Sequence, residues 1–185
     1  MTLDTAAARA ATLLAEVPDA LLTAPTPCAG LSVAGLIEHF DTLALRLTAT
    51  AGKRPRPDPS GTGLRSDWRG GVPARLKILA EAWADPAAWE GVTSLAGREV
   101  PAAFAGTHTL NELVLHGWDL ARAVRLPYTA DAADVTACIG LLESLPDEFR
   151  ALGVFGAPVP VPPDAPGLDR LVALSGRDPS WTPPA

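Results

Sequence analysis

Aromatic side chains are scarce in this sequence: five tryptophans, four phenylalanines and one tyrosine among 185 residues. Valine, isoleucine and aromatic runs of strand length are scarce as well, and alanine and leucine inflate the 48% hydrophobic content. That balance argues against a sheet-rich core and favours an all-α fold. Cysteine is limited to Cys28 and Cys138, which rules out a disulfide framework and a cysteine-built zinc knot. Any metal would have to be held mainly by His, Glu and Asp. Basic residues are in deficit, 15 Lys and Arg against 21 Asp and Glu for a net charge of −6, so a nucleic-acid partner is not expected. No apolar run approaches the roughly 20 residues of a membrane span. The opening MTLDTAAARAATLLAEV lacks a charged leader, an apolar block and a cleavage site, and reads as an amphipathic helix of a cytoplasmic protein. Nucleotide and redox-cofactor readings have no support, since G-x-S-x-G, P-loop and dinucleotide fingerprints are all missing.

What is present is helical periodicity. Residues 4–24 carry apolar positions at helical spacing. Ser32 is placed to cap a second helix running to about Thr50, after the turn TPCAGLS. AGKRPRPDPSGTG is a loop by its proline, glycine and charge. A third helix is expected over 72–85, a fourth over 107–125 and a fifth over 130–151, with AAWEGVTSLAGREVPAAFAG left as an ambiguous, irregular connection. The C-terminal part changes character: five prolines lie between Gly156 and Gly167, so that stretch should run extended before a short helix in LDRLVALSG. The organisation expected is one domain over 1–185, a helical bundle (1–152) with a proline-rich tail (153–185) whose single short helix packs on it.

Candidate chemistry concentrates in HTLNELVLHGWDL, residues 108–120. Glu112 and His116 are spaced i,i+4 and stack on one helix face. Stepping about 100° per residue puts His116 inward beside Leu113 and Leu120, Glu112 and Asp119 on the flank, and Asn111, Arg122 and Arg125 towards solvent. A carboxylate near the buried face requires a cation or hydrogen-bond donors. His39 shares the inward face of the second helix with Leu36 and Leu43. Together His39, Glu112 and His116 would offer two imidazoles and a carboxylate from facing helices, leaving a coordination position open as in catalytic zinc sites. Blander explanations stand beside this one. A single inward histidine is more often a core residue than a ligand, and Thr109-Leu-Asn-Glu112 matches a capping box that accounts for Glu112 without metal. His108 reads as a fourth ligand, a group beside the ligands or an exposed residue at the helix start, with the last two preferred, and Asp119 as an orienting partner for an imidazole or a surface or interhelical hydrogen bond. Cys28 precedes a helix start, where a thiolate would be stabilised, yet no histidine adjoins it in sequence; Cys138 reads as a core residue. Arg98, Arg122 and Arg177 are candidates for holding an anion.

TPCAGLSVAGLIEHF resembles the N-terminal signature of the DinB-like metal-binding superfamily, in its mycothiol-dependent maleylpyruvate isomerase branch. NELVLHGWDLARAVRLP is similar to that branch's second signature, and FGAPVPVPPDAPGLDRLVALSGRDPSW to the tail of its single-domain actinobacterial members. The resemblance implies an antiparallel four-helix bundle in which His39, Glu112 and His116 bind a divalent metal, usually zinc. It also implies a small-molecule thiol such as mycothiol and an electrophilic substrate, on a monomer or homodimer. Leu31 replaces the tryptophan usual in the first signature. The isomerase resembled carries a further C-terminal domain in place of the short tail, so the resemblance does not by itself carry isomerase activity. The reading that follows is a zinc-dependent, thiol-using transferase or isomerase. Its alternatives are metal-assisted hydrolysis, a non-catalytic metal- or ligand-binding bundle, and a bundle whose polar triad is only a hydrogen-bond network.

Overall fold

The computed structural model describes residues 2–58, 63–145 and 155–184. Helix α1 covers Asp4–Glu16, α2 Val33–Ala51, α3 Trp68–Ala84, α4 Ala102–Ala123, α5 Ala132–Ser144 and α6 Gly167–Leu174, with short 3-10 turns at Asp19–Leu21 and Pro86–Trp89. The fold is all-α apart from one two-stranded hairpin, β1 (Val92–Leu95) and β2 (Arg98–Pro101). Helices α1 to α4 form the bundle: α1 packs on α3 and α4, α2 packs on the same two, and α5 lies outside against α4 and α6.

Local chemistry sets most of the boundaries. Ser32 caps α2 as expected, its hydroxyl accepting from the Gly35 amide at 3.2 Å. Before it, the Thr26 hydroxyl donates to the carbonyls of Cys28 and Leu31 at 3.1 and 2.9 Å. Gly30 takes φ +83°, which a Cβ would disfavour. This turn holds Cys28 against the bundle. The first helix stops at Glu16, well short of residue 24, because Pro18 cannot continue it and a 3-10 turn follows. By contrast α3 begins at Trp68, earlier than expected despite Gly70, Gly71 and Pro73. Trp68 is buried, and the Arg69 guanidinium donates to the Val17 carbonyl at 2.7 Å and pairs with Asp19 at 2.6 Å. Tertiary contacts there outweigh poor helix propensity.

The stretch expected to be irregular is ordered. Val92 pairs with Pro101 and Leu95 with Arg98 across a turn in which Ala96 and Gly97 both have positive φ, +50° and +80°. A tight hairpin turn demands that conformation, and only one of its two positions carries a signalling glycine. Reciprocal bonds dock the hairpin on the end of α2. The Thr93 hydroxyl donates to the Thr50 carbonyl at 2.6 Å, and the Thr50 hydroxyl to the Ser94 carbonyl at 3.1 Å.

Helix α4 is the central element and corrects two expectations. It starts at Ala102, two turns ahead of Thr109, whose hydroxyl bonds the Ala105 carbonyl at 2.8 Å, so no capping box exists. Nor has it a solvent side where one was expected. Asn111 is fully buried with both amide atoms unpaired, and Arg122 is half-buried, donating to the Trp181 carbonyl at 2.6 Å and the Pro179 carbonyl at 3.3 Å. Only Arg125 faces water as the angles suggested. A helix surrounded by other elements defeats a one-face reading of its periodicity.

The fifth helix ends at Ser144 among the described residues; positions 146–151 of its expected span lie outside them. From Phe155 the tail runs extended, then enters α6, which buries Leu171 and Val172 completely. The Val159 amide bonds the Ala173 carbonyl at 2.9 Å.

Two glycines give a stability test with opposite signs. A Cβ on Gly106 would collide with the ring of Trp89, itself fixed by a 2.8 Å bond from its indole N–H to the Trp83 carbonyl. Gly140 lies inside α5 facing open space. Urea unfolding should show Gly106→Ala less stable by about 1–3 kcal/mol and Gly140→Ala more stable by up to about 1 kcal/mol.

Candidate metal centre

Helices α2 and α4 bring the three predicted residues together. The Nε2 atoms of His116 and His39 lie 3.1 and 3.8 Å from the same oxygen, Oε2 of Glu112. Ligand-type atoms of the three residues all fall within 4.8 Å of one another. The two imidazoles meet edge to face with centroids 4.7 Å apart. His39 stays partly open, with 37% of its side chain exposed against 12% for Glu112 and 8% for His116.

His108 sits one turn before Glu112 and partly buried, not exposed at a helix start. Its Nε2 is 3.6 Å from Oε1, the other oxygen of the Glu112 carboxylate. One buried carboxylate is therefore shared by three histidines, the full complement of this sequence.

A second group of residues fixes His116 from behind. Its Nδ1 lies 2.9 Å from Oδ2 of Asp119, a carboxylate with no exposure. Arg177, arriving from the tail 58 residues later, grips both Asp119 oxygens with Nε at 2.8 Å and Nη2 at 2.9 Å. Its Nη1 donates to the Ser175 hydroxyl at 3.1 Å. Of the three arginines proposed as anion holders, Arg177 is thus committed to Asp119 and Arg122 to the tail carbonyls; Arg98 is exposed on β2.

Cys28 proves to be closer to the chemistry than the sequence suggested. Its thiol lies beside His116, and ligand-type atoms of Cys28, His116 and Asp119 form a second cluster within 4.8 Å. That cluster is the weaker candidate for a metal, because both Asp119 oxygens are already engaged by Arg177. Cys138 is buried in α5 with its thiol pushed up to about 12 by burial and by Asp134, and stays protonated.

Electrostatics follow the geometry. Burial alone would raise the Glu112 carboxyl. Hydrogen bonds from His116 and His39, with the charges of His108 and His116, overcome that and hold it well below the usual carboxylate range. For His116, burial favours the neutral ring, but its bonds to Asp119, Cys28 and Glu112 push the imidazole well above its ordinary value. Without a metal, a proton on His116 occupies the position between the two carboxylates. Its Nδ1–H then donates to Asp119 and its Nε2–H to Glu112.

Residues 3–121 match the family described as the mycothiol maleylpyruvate isomerase N-terminal domain, and the chain belongs to that family. It is also similar to uncharacterized proteins of Mycobacterium tuberculosis, from strains CDC 1551 / Oshkosh and ATCC 25618 / H37Rv. Each is 29% identical over 170 residues, which cover 90% of this chain and 91% of the relative. No solved structure matches significantly.

Two outcomes are expected of the metal-free protein. The Glu112 contribution to stability is present above its ordinary value of 4.5 and fades as pH falls through the depressed folded value. The His116 contribution is complete below 6.5 and is lost as pH rises towards the raised folded value. Stability should therefore decline above pH 6.5, by up to about 1.4 kcal/mol per unit. In urea titrations His116→Gln should flatten that slope; an equal slope in the variant refutes the assignment. Separately, Arg177→Ala strands the buried Asp119 charge and should cost about 3–5 kcal/mol, read from the same unfolding curves.

Proposed function

We propose that this member of the family is a divalent-metal-dependent enzyme, zinc being the expected metal, that uses a small thiol of the mycothiol type as a transferase or isomerase. His39, Glu112 and His116 are the ligands. The observation that carries the metal reading is the convergence of two imidazole Nε2 atoms on one buried carboxylate oxygen, at 3.1 and 3.8 Å. Zinc ligands about 2.0–2.1 Å from the metal in a tetrahedron stand ~3.3 Å from each other, so the three donors need little rearrangement to enclose an ion. Donor chemistry also suits zinc, which accepts imidazole and carboxylate together. His108 is not in that group of donors. Three protein ligands and a partly open His39 correspond to a site that accepts an exogenous group.

The neighbouring residues have definite work. Asp119 accepts the Nδ1–H of His116, which fixes the tautomer and leaves Nε2 with its lone pair towards the site. Arg177 neutralises Asp119, so the carboxylate orients the ring without adding uncompensated charge to the interior. His108 touches the Glu112 oxygen that faces away from His39 and His116, restraining the carboxylate plane. When bound, the metal supplies Lewis acidity that stabilises a thiolate at neutral pH. Support for the thiol itself comes from the family, whose description names mycothiol.

The test is elemental analysis of protein purified without added metal or a chelating tag, followed by an assay of mycothiol consumption with a panel of electrophiles. About one zinc per chain is expected, with loss in His116→Ala and His39→Ala. Asp119→Asn should retain the site but weaken metal affinity about 10–100-fold. Zinc without any thiol-dependent turnover would make the protein a non-catalytic metal-binding bundle. An absence of zinc even after reconstitution would leave the histidines as a hydrogen-bond network.

A further inference from the structure

A cavity of about 150 Å³ opens beside the centre, between the C-terminal half of α2, the loop after it and the hairpin. Its polar walls are Arg46, Arg54, Arg56, Thr50, Ser94 and His108. Among the described residues no carboxylate lines it, in a protein of net charge −6. Nor does any of the three arginines form an ion pair with a described residue, although Arg9, Arg65, Arg69, Arg75 and Arg177 all do. The Arg46 Nε–H is buried without a hydrogen-bond partner. Leaving a charged donor so placed is costly unless an acceptor arrives.

Capping of α2 does not explain the cluster. The last carbonyls of that helix are already occupied: Thr48 by the Gly52 amide at 3.2 Å, Ala49 by the Arg54 amide at 2.9 Å, and Thr50 by the Lys53 amide at 3.1 Å. Thr93 adds its 2.6 Å bond to the Thr50 carbonyl. Among the described residues the three guanidinium groups lining the cavity have no carboxylate partner.

Position ties the cavity to the metal centre. Leu43, Arg46, Leu47 and Thr50 follow His39 at i+4, i+7, i+8 and i+11, so they continue its face of α2. On α4, His108 lies one turn from Glu112 and touches its carboxylate. Helical rise puts Arg46 about 10 Å from His39 along α2, and His108 about 6 Å from Glu112 along α4. A small molecule could reach both places at once.

We propose that the Arg46–Arg54–Arg56 cavity is an oxyanion subsite, taking a carboxylate or phosphate group on a ligand whose other end reaches the His39–Glu112–His116 site. Planar guanidinium groups bind either anion in pairs of hydrogen bonds, and Ser94 adds a hydroxyl to the wall, whereas the Thr50 hydroxyl is committed to the Ser94 carbonyl. The site would select acidic small molecules over neutral ones of the same size. The proposal deepens the functional reading above by naming a substrate class, but anion binding needs only the arginines.

The test is calorimetric titration of the chelator-treated full chain with succinate and, separately, with inorganic phosphate at low ionic strength. Saturable binding of at least one anion is expected. It should be weakened tenfold or more in Arg46→Gln and clearly weakened in Arg54→Gln, a change at an exposed position outside the core, while the surface variant Arg170→Gln binds like the wild type. Preference for succinate would assign the subsite to carboxylates and preference for phosphate to phosphate esters. No saturable binding of either anion, or equal binding in Arg46→Gln and Arg54→Gln, overturns the proposal. Zinc content measured on the protein before chelator treatment and after zinc reconstitution separates the two readings: arginine-dependent anion binding in a protein that never holds zinc keeps the subsite and removes the metal.

Discussion

The charge on Glu112 is the constraint on which the rest of the centre depends. A carboxylate only 12% exposed inside a helical bundle must be matched by donors or a cation. Here the match comes from one histidine a turn before it, one a turn after it, and one on a facing helix. The two on α4 need nothing but helical spacing. His39 requires α2 and α4 to lie in one particular register, with residue 39 opposite 112–116 and residues 43–50 opposite 108. The polar contact and the packing of the helices thus specify each other.

Support for this arrangement radiates outward through α4. His116 leans on Asp119, Asp119 on Arg177, and Arg177 belongs to the tail beyond α6. Arg122, on the same helix, holds the tail carbonyls of Pro179 and Trp181. A proline-rich segment that looks like a linker is consequently wired to the interior of the bundle by two guanidinium groups. Its energetic role is to keep a buried carboxylate compensated, so that the imidazole it orients can face the centre with a fixed tautomer.

The electrostatic layout is asymmetric. The protein is acidic overall, yet the cavity adjoining the centre is lined by arginines that form no ion pair among the described residues. Metal-type donors at one end and arginines about 10 Å away would separate a cation at one end of a ligand site from an anion at the other. The hairpin makes this possible. Thr50 and Thr93 clamp it to the end of α2, where it closes the cavity with Ser94 and Leu95.

The sequence by itself determined the helical class, the Ser32 cap, and the inward direction of His39 and His116, because those depend on composition, local hydrogen bonding and a period of 3.6 residues. It also carried the family, through motifs around His39 and His116 whose residues stand in order along residues 3–121. Helical angles could not show that α4 is enclosed on nearly every side, so Asn111 and Arg122 were directed to solvent when one is fully buried and the other half-buried. The hairpin was hidden because Ala96 takes a positive φ that its side chain does not advertise. Cys28 reaches His116 and Arg177 reaches Asp119 from distant parts of the chain, and no spacing rule links residues 28, 116 and 177. Tertiary structure decided those contacts, since the electrostatic value of each charge depends on what else is buried beside it.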